Sequence, residues 1–170
     1  MKRLLRTLLL PCLLLMAFAA QAQAQTKVEQ YQALFIGNFV KYITWPNNPT
    51  QITIGVLGNS RVLMALEAIA AKRNTGLPMN VIKVASVDQV PNCDAIFVPE
   101  SQYRNFAEII KQAEGRNILI ISETEEKVTQ GASIGFYEEA GKLRFAINVK
   151  ETENKDLKVA VQLRSLAKLM

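Results

Sequence analysis

The most hydrophobic strand candidate in this chain is Asn117-Ile118-Leu119-Ile120-Ile121-Ser122. Four large apolar residues in a row leave neither face of the strand polar, which is typical of a strand buried on both sides in a parallel sheet. Two similar candidates come before it, at Ile52–Leu57 and at Asp94–Pro99. The sequence therefore predicts a largely parallel sheet at the centre of the molecule.

Helical segments are predicted between these strands. Val28–Ile43 carries an apolar stripe at helical spacing, and the prolines of Trp45-Pro46-Asn47-Asn48-Pro49 end it. The alternation of helices and strands predicts a single Rossmann-like three-layer α/β domain, with a mostly parallel sheet, a C-terminal β-hairpin and a terminal helix. The remaining predicted elements are helix Arg61–Lys72, strand Met79–Val84, helix Tyr103–Glu114, a hairpin of Ser133–Tyr137 with Lys142–Ile147, and terminal helix Leu157–Met170.

The composition is that of a globular protein and excludes several enzyme classes. Of the 170 residues, 49% are hydrophobic and 21% are charged, and histidine is absent. Without histidine the chain has no Ser-His-Asp or Cys-His nucleophile system and no His-ligated metal. We expect neither a catalytic residue nor a bound metal or cofactor.

Residues 1–24 are typical of a secretory signal peptide. Lys2, Arg3 and Arg6 precede the apolar run Leu8–Phe18, and small residues around Gln21 and Gln23 offer two cleavage sites. The run is shorter than the roughly 20 apolar residues that span a bilayer, so an uncleaved anchor is the weaker alternative. We expect a mature domain over residues 25–170, beginning near Gln23 or Gln25, in the periplasm and without membrane insertion.

The net charge of +5 overstates how basic the mature protein is. Removal of residues 1–24 takes away three basic side chains and no acid, which leaves 17 basic against 15 acidic residues. Because the remaining charges of both signs are interspersed, no basic surface is expected to attract nucleic acid.

One cysteine, Cys93, is left after removal of the signal peptide, since Cys12 lies within it. A single cysteine cannot form an internal disulfide. The sequence favours a small, partly buried residue just before a strand. A reactive thiol and an intermolecular disulfide are the weaker alternatives.

A glycine-containing turn lies between the first strand and the helix after it. The backbone amides at such a junction can bind an anion, so a weak ligand site is predicted. The third glycine and the downstream acid of a dinucleotide fingerprint are missing, and a tight turn with Ser60 as helix N-cap explains the same residues. The predicted ligand-binding residues are Gly55, Gly58, Asn59 and Ser60.

Glu123, Glu125 and Glu126 follow the most hydrophobic strand, where α/β folds often place their sites. Two carboxylates there could perform acid–base chemistry. Acidic residues are also favoured in the first turn of a helix, so a solvated loop that opens a short helix is the stronger interpretation. The mixed charges of residues 150–158 indicate a solvent-facing surface.

Trp45 is the only tryptophan in the chain. Tryptophan is enriched among residues that anchor protein interfaces. Large aromatic side chains are also usually buried, so Trp45 closing one end of the core is the interpretation that the sequence favours. On the sequence alone, Trp45 as an interface anchor and Trp45 as a core residue both remain open.

Several segments resemble the YfiR family of secreted bacterial regulators. The likeness begins with residues 33–46, an aromatic-rich helix that ends in a Trp-Pro pair. Ile52–Gly58, Asp94–Pro99 and Ile118–Ser122 match further family segments, in the same order. The final matching segments are Gly131–Phe136, Gly141–Asn148 and Leu163–Ala167.

The resemblance implies a regulator and not an enzyme. YfiR-like proteins bind the periplasmic part of a membrane diguanylate cyclase and hold it inactive, which lowers cyclic di-GMP and restrains biofilm formation. A sensor kinase is an alternative membrane partner, and family dimers make a homodimer compatible with the likeness. Since Cys93 has no mature partner, no internal redox switch is expected. The predicted contact residues are Phe39, Tyr42, Trp45 and Pro46, with Arg144 and Asn148 as polar contributors.

The sequence therefore leaves three functions open. The first is repression of a membrane cyclase by a protein–protein contact. The second is a periplasmic module that binds a small anion or nucleotide at the glycine turn. The third, a hydrolase that uses Glu123, has the least support from the sequence.

Overall fold

The structure is a computed structural model and describes residues 27–46 and 48–170. The predicted signal peptide and Cys12 lie outside these residues. The helices are α1 (27–42), α2 (Val62–Lys72), α3 (Phe106–Ala113), α4 (Val149–Glu153) and α5 (Val161–Leu166), with 3₁₀ helices at Val87–Asn92, Glu100–Asn105 and Glu125–Gln130. The strands are β1 (Ile43–Thr44), β2 (Ile52–Leu57), β3 (Met79–Val84), β4 (Ala95–Val98), β5 (Leu119–Ser122), β6 (Ile134–Glu139), β7 (Lys142–Ile147), β8 (Lys158–Val159) and β9 (Lys168–Leu169).

The large sheet has the strand order β3-β2-β4-β5-β6-β7-β9 within the described residues. The first five of these strands are mutually parallel, and β6 and β7 form an antiparallel hairpin. Strand β9 then runs parallel to β7 at the edge. The parallel part is doubly wound, because β3 lies on one side of β2, whereas β4, β5 and β6 follow on the other side. The predicted α/β fold class is confirmed.

The two faces of the sheet have separate cores. Phe97 of β4 points towards α1 and α2, whereas its neighbours Ile96 and Val98 point towards α3. Strand β5 divides in the same way, with Ile121 on the first face and Ile120 on the second. Burial on both faces explains why β4 is apolar at every position and β5 at every position except its last, Ser122.

The predicted hairpin is confirmed, and its turn is at Ala140 and Gly141. Both residues have positive φ, 50° and 72°, as the two-residue turn that suits the twist of a hairpin requires. The ring centroids of Phe136 and Phe145 of the hairpin lie 5.1–6.1 Å from those of Phe35 and Phe39 of α1. The aromatic stripe of α1 therefore fastens that helix to the sheet.

The predicted terminal helix Leu157–Met170 is wrong in extent. Only α5 is helical there, because residues on either side of it find strand partners. Strand β8 pairs with β1, and β9 pairs with β7. The helical spacing of Val159, Leu163, Leu166 and Met170 was misleading, because only Val159 and Leu163 are buried, whereas Leu166 and Met170 are exposed. The helix predicted from Tyr103 begins as a 3₁₀ helix and becomes α-helical at Phe106.

Candidate functional site

The chain turns sharply where α1 ends, at a segment that we call the Trp45–Pro46 corner (residues 43–46 and 48–49). The indole Nε1 of Trp45 donates a hydrogen bond to the backbone oxygen of Asp94, 3.3 Å away, just before β4. The Asp94 carboxylate in turn accepts from the backbone N–H of Thr53 at 2.7 Å. The corner is therefore fixed to the edge of the sheet at which the parallel strands begin.

A groove lies on each side of this corner. The larger has a volume of about 760 Å³ and runs from Pro46 to the segment after α4, including Leu157, Lys158 and Arg164. The smaller, about 330 Å³, lies between the corner and the end of α2, beside Lys41 and Leu77. The corner thus forms a ridge between two depressions, a shape suited to a protein partner.

The rims of the larger groove are held by unusual backbone conformations and an ion pair. Asn48 and Asp156, which line it, have φ values of 47° and 56°. Asn and Asp are the non-glycine residues that best tolerate this left-handed region. The Arg164 guanidinium binds the Glu153 carboxylate at 2.6 Å and donates to the Val159 carbonyl at 3.1 Å. A surface fixed before binding loses little conformational entropy on association.

Two of the predicted contact residues are core residues. Phe39 is 0% exposed, within the aromatic cluster of α1 and the hairpin, and Trp45 is 4% exposed. Trp45 therefore closes one end of the core, the alternative that the sequence favours. Tyr42 and Pro46 are half-buried, and the Lys41 ammonium lies 5.2 Å from the centroid of the Tyr42 ring. Only Tyr42 and Pro46 of these four present accessible side chains.

The predicted polar contributors are not part of the corner. Arg144 is exposed on β7, with its Nε 3.7 Å from the Glu139 carboxylate. Asn148 is the N-cap of α4, and its Oδ1 accepts from the backbone N–H of Glu151 at 2.9 Å. In the described part of the chain neither residue lines the two grooves.

The glycine turn after β2 is occupied by internal contacts. Gly55 lies inside the buried strand β2, where an added Cβ would be 2.5 Å from Cys93 Sγ. Gly58 has φ of 71° and donates its N–H to the Val84 carbonyl. The Ser60 hydroxyl accepts from the N–H of Val62 at 3.2 Å, whereas Asn59 is exposed. The structure thus uses the turn as a strand-to-helix cap, and it gives the anion prediction no further support.

The carboxylates after β5 are also used in structural contacts. Glu123 accepts from the backbone N–H of Glu100 at 2.7 Å, and Glu125 pairs with the Lys168 ammonium at 3.0 Å.

Cys93 is buried, and burial together with the Asp94 carboxylate raises its pKa to about 11. Among residues 27–46 and 48–170, no three His, Cys, Asp or Glu side chains are grouped to hold a metal ion. No helix in the same residues has the length and hydrophobicity needed to cross a bilayer.

The sequence did not predict that Lys158 and Arg164 line the larger groove. It assigned residues 150–158 to a solvated surface and Arg164 to a long helix. Lys158 and Arg164 reach the corner because β8 pairs with β1, placing Lys158 opposite Thr44. Pairing between two-residue strands leaves no recognisable pattern in the sequence, so only the structure shows this neighbourhood.

Solved structures with a similar fold include two bacterial proteins. One is the ABC domain in complex with L-Trp from Streptococcus pneumoniae, with a TM-score of 0.57 and 15% identity. The other is a conserved domain protein from Vibrio cholerae O1 biovar El Tor, with a TM-score of 0.59 and 13% identity. Each alignment covers 83% of this chain and 59% of the other, so this chain spans less than two thirds of either protein. At such identities the likeness concerns the fold alone.

A search of curated proteins finds no match. The family model described as YfiR/HmsC-like matches residues 29–168, which include both cores and the whole Trp45–Pro46 corner. This family consists of periplasmic regulatory proteins and not of enzymes. Because its model spans nearly all of the described residues, the chain belongs to the YfiR/HmsC-like family.

Proposed function

We propose that this protein binds the periplasmic part of a membrane diguanylate cyclase and represses it. Repression lowers cyclic di-GMP inside the cell and restrains biofilm formation. Export by residues 1–24, with cleavage before Gln23 or Gln25, brings the protein to the same compartment as that part of the cyclase. A sensor kinase with a periplasmic domain is the alternative partner.

The observation that carries the contact surface is the pair of grooves beside the Trp45–Pro46 corner. Together they give an accessible ridge whose buried base, Trp45, is held by a hydrogen bond to the strand edge. Tyr42 and Pro46 supply apolar contact area, and Lys158 supplies an exposed charge at the rim. Interfaces combine an aromatic or apolar centre with such a polar rim.

Repression by binding requires a difference in affinity between two states of the partner. A ligand shifts a two-state equilibrium only by as much as its affinities for the two states differ. A shift from 1% to 99% inactive cyclase needs a preference of about 10⁴-fold for the inactive state. A rigid ridge suits this task, because a surface that does not adapt rejects the partner conformation that it does not fit.

The first prediction concerns Tyr42 and Lys158. Tyr42→Ala removes the half-buried aromatic side chain at the end of α1, directly before the corner, and Lys158→Glu reverses the rim charge. We expect each to weaken capture of the membrane cyclase by about 10- to 30-fold, the usual effect of a contact that dominates an interface. Co-purification from detergent-solubilised membranes, with cellular cyclic di-GMP as the second readout, measures the change.

Lys83→Glu is the matched control, because Lys83 is exposed near the end of β3, whereas the corner lies where the parallel strands begin. It makes the same charge reversal and is expected to leave capture unchanged. Equal capture of the cyclase by wild type, Tyr42→Ala and Lys158→Glu would contradict the proposal that the Trp45–Pro46 corner is the contact surface. Capture of a sensor kinase without any cyclase would show that the membrane partner is a sensor kinase and not a cyclase.

A further inference from the structure

The smaller groove beside the Trp45–Pro46 corner carries positive charge only. Among the described residues that line it, Lys41 and Arg73 are charged and none is acidic. The groove has a volume of about 330 Å³, and apolar side chains, Pro49 and Leu77 among them, form much of its wall. The larger groove is lined by acidic as well as basic residues. The smaller groove is therefore the more electropositive of the two.

Arg73 follows the last residue of α2, and its side chain reaches α1. Its Nη1 donates to the backbone oxygen of Gly37 at 3.0 Å and to the Sδ of Met79 at 3.4 Å. Gly37 allows the two helices to approach closely, since an added Cβ there would lie 3.4 Å from Cγ2 of Ile69 in α2. Both acceptors are neutral, so these contacts position the guanidinium and leave its positive charge uncompensated.

The other two guanidinium nitrogens of Arg73 have no acceptor in the described chain. Both hydrogen bonds of the side chain start from Nη1, and Nε is buried without a partner. Nη2 lies beside Gly76, a second lining residue, where an added Cβ would be 3.3 Å away. Nε and Nη2 form one edge of the guanidinium, and such an edge can bind both oxygens of a carboxylate. Because Nη1 is already used, this is the edge that a ligand can take.

Lys41 provides the second positive charge of the groove. It is exposed on the last turn of α1, and its ammonium lies 5.2 Å from the centroid of the Tyr42 ring. Neither Lys41 nor Arg73 forms an ion pair with a carboxylate of the described residues, whereas Arg164 of the larger groove is paired with Glu153. An anion is therefore the group that would balance the smaller groove.

We infer that the smaller groove receives an acidic side chain, Asp or Glu, from the periplasmic part of the membrane partner. The inference rests on the proposed function, because it names the chemical group of that partner that docks beside the corner. Charge complementarity selects this occupant, since carboxylates are the anionic side chains of a protein and arginine binds them through paired hydrogen bonds. Such a contact supplies specificity, because a partner surface with a cation at the same place is repelled.

Capture of the cyclase from detergent-solubilised membranes tests this contact. Arg73→Gln removes the guanidinium and is expected to weaken capture by at least about tenfold, as for an arginine that anchors an interface. Lys41→Gln removes an exposed charge and is expected to weaken capture by about two- to fivefold. Lys83→Gln makes the same change of charge near the end of β3 and is expected to capture like wild type.

Salt dependence distinguishes an electrostatic contact from a structural effect of the substitutions. Raising the salt concentration from about 0.1 M to about 1 M shortens the Debye length from about 10 Å to about 3 Å and so weakens attraction between exposed charges. We expect capture by wild type to fall over this range, and capture by the double variant Arg73→Gln/Lys41→Gln to fall less. Arg73→Lys keeps the charge and loses the planar fork, so it is expected to capture better than Arg73→Gln and less well than wild type.

Two results would overturn the inference and leave the proposed function standing. The first is full capture of the cyclase by Arg73→Gln, or by Lys41→Gln if Arg73→Gln does not fold. The second is unchanged capture by these variants while succinate raises the melting temperature of wild type and not that of Lys41→Gln, which would identify a free carboxylate as the occupant. Absence of capture by wild type would instead contradict the proposed function, and the inference with it.

Discussion

At the scale of single residues, the ionisation of Glu29 makes stability depend on pH. Its pKa is raised in the fold, mainly by burial, with Arg61 opposing the effect and Glu123 adding to it. The fold therefore favours the protonated form of Glu29. The resulting stability is fully present below the usual glutamate pKa of about 4.3 and is lost as the pH rises through the raised pKa.

Glu29→Gln tests this dependence, because glutamine is neutral at every pH. We expect the variant to have a higher free energy of unfolding than wild type at pH 8, with the difference narrowing towards pH 4. Urea unfolding between these pH values measures it, and Glu67→Gln is the exposed control. A difference that widens as the pH falls would show that Glu29 is instead stabilised in its charged form.

Gly55 shows how closely β2 is packed. A Cβ added there would be 2.5 Å from Cys93 Sγ, 2.7 Å from Val84 and 2.8 Å from Ile96. We expect Gly55→Ala to destabilise the fold by about 1–3 kcal/mol, the usual cost of overpacking a buried site. The measurement is urea unfolding.

A double-mutant cycle identifies the cause. Cys93→Ala removes the sulfur that lies nearest to the added methyl group, so Gly55→Ala is expected to cost less in that background. An equal cost in both backgrounds would contradict the close contact between Gly55 and Cys93.

At the scale of secondary structure elements, Asn148 is the N-cap of α4. Its side chain caps the helix by accepting from Glu151, so Asn148→Ala is expected to cost about 1 kcal/mol of stability. Asn148→Asp keeps an acceptor at the cap and is expected to retain that stability. Thermal unfolding compares the two variants, and a loss of cyclase capture with unchanged stability would restore Asn148 as a contact residue.

The apolar strands of the central sheet and helix α1 could be predicted from the sequence, whereas the two-residue strands could not. The patterns of β2, β4 and β5 reflect burial on both faces, and the wide stripe of α1 reflects its packing on the sheet. Strands β8 and β9 have two residues each and form only because β1 and β7 lie beside them. Such tertiary pairing leaves no periodicity to detect.

At the scale of the whole molecule, the two ends of the parallel strands differ in character. The end where the strands begin carries the Trp45–Pro46 corner and its two grooves. The end where they stop carries buried acceptors without donors in the described chain. The end where the strands begin is the one that suits a protein partner.

The candidate site could be predicted only in part, for a physical reason. The sequence drew attention to Trp45 because tryptophan is rare, but rarity does not distinguish a buried anchor from an exposed one. The structure shows that Trp45 is buried beneath the corner, while Pro46 and Lys158 line the larger groove.

The central claim is that this protein represses a membrane cyclase by binding it in the periplasm. The most direct measurement is the intracellular concentration of cyclic di-GMP in cells that lack the chain, compared with cells that express wild type or Tyr42→Ala. We predict a rise on deletion, a return to the original level with wild type, and no return with Tyr42→Ala. An unchanged concentration on deletion would contradict the claim.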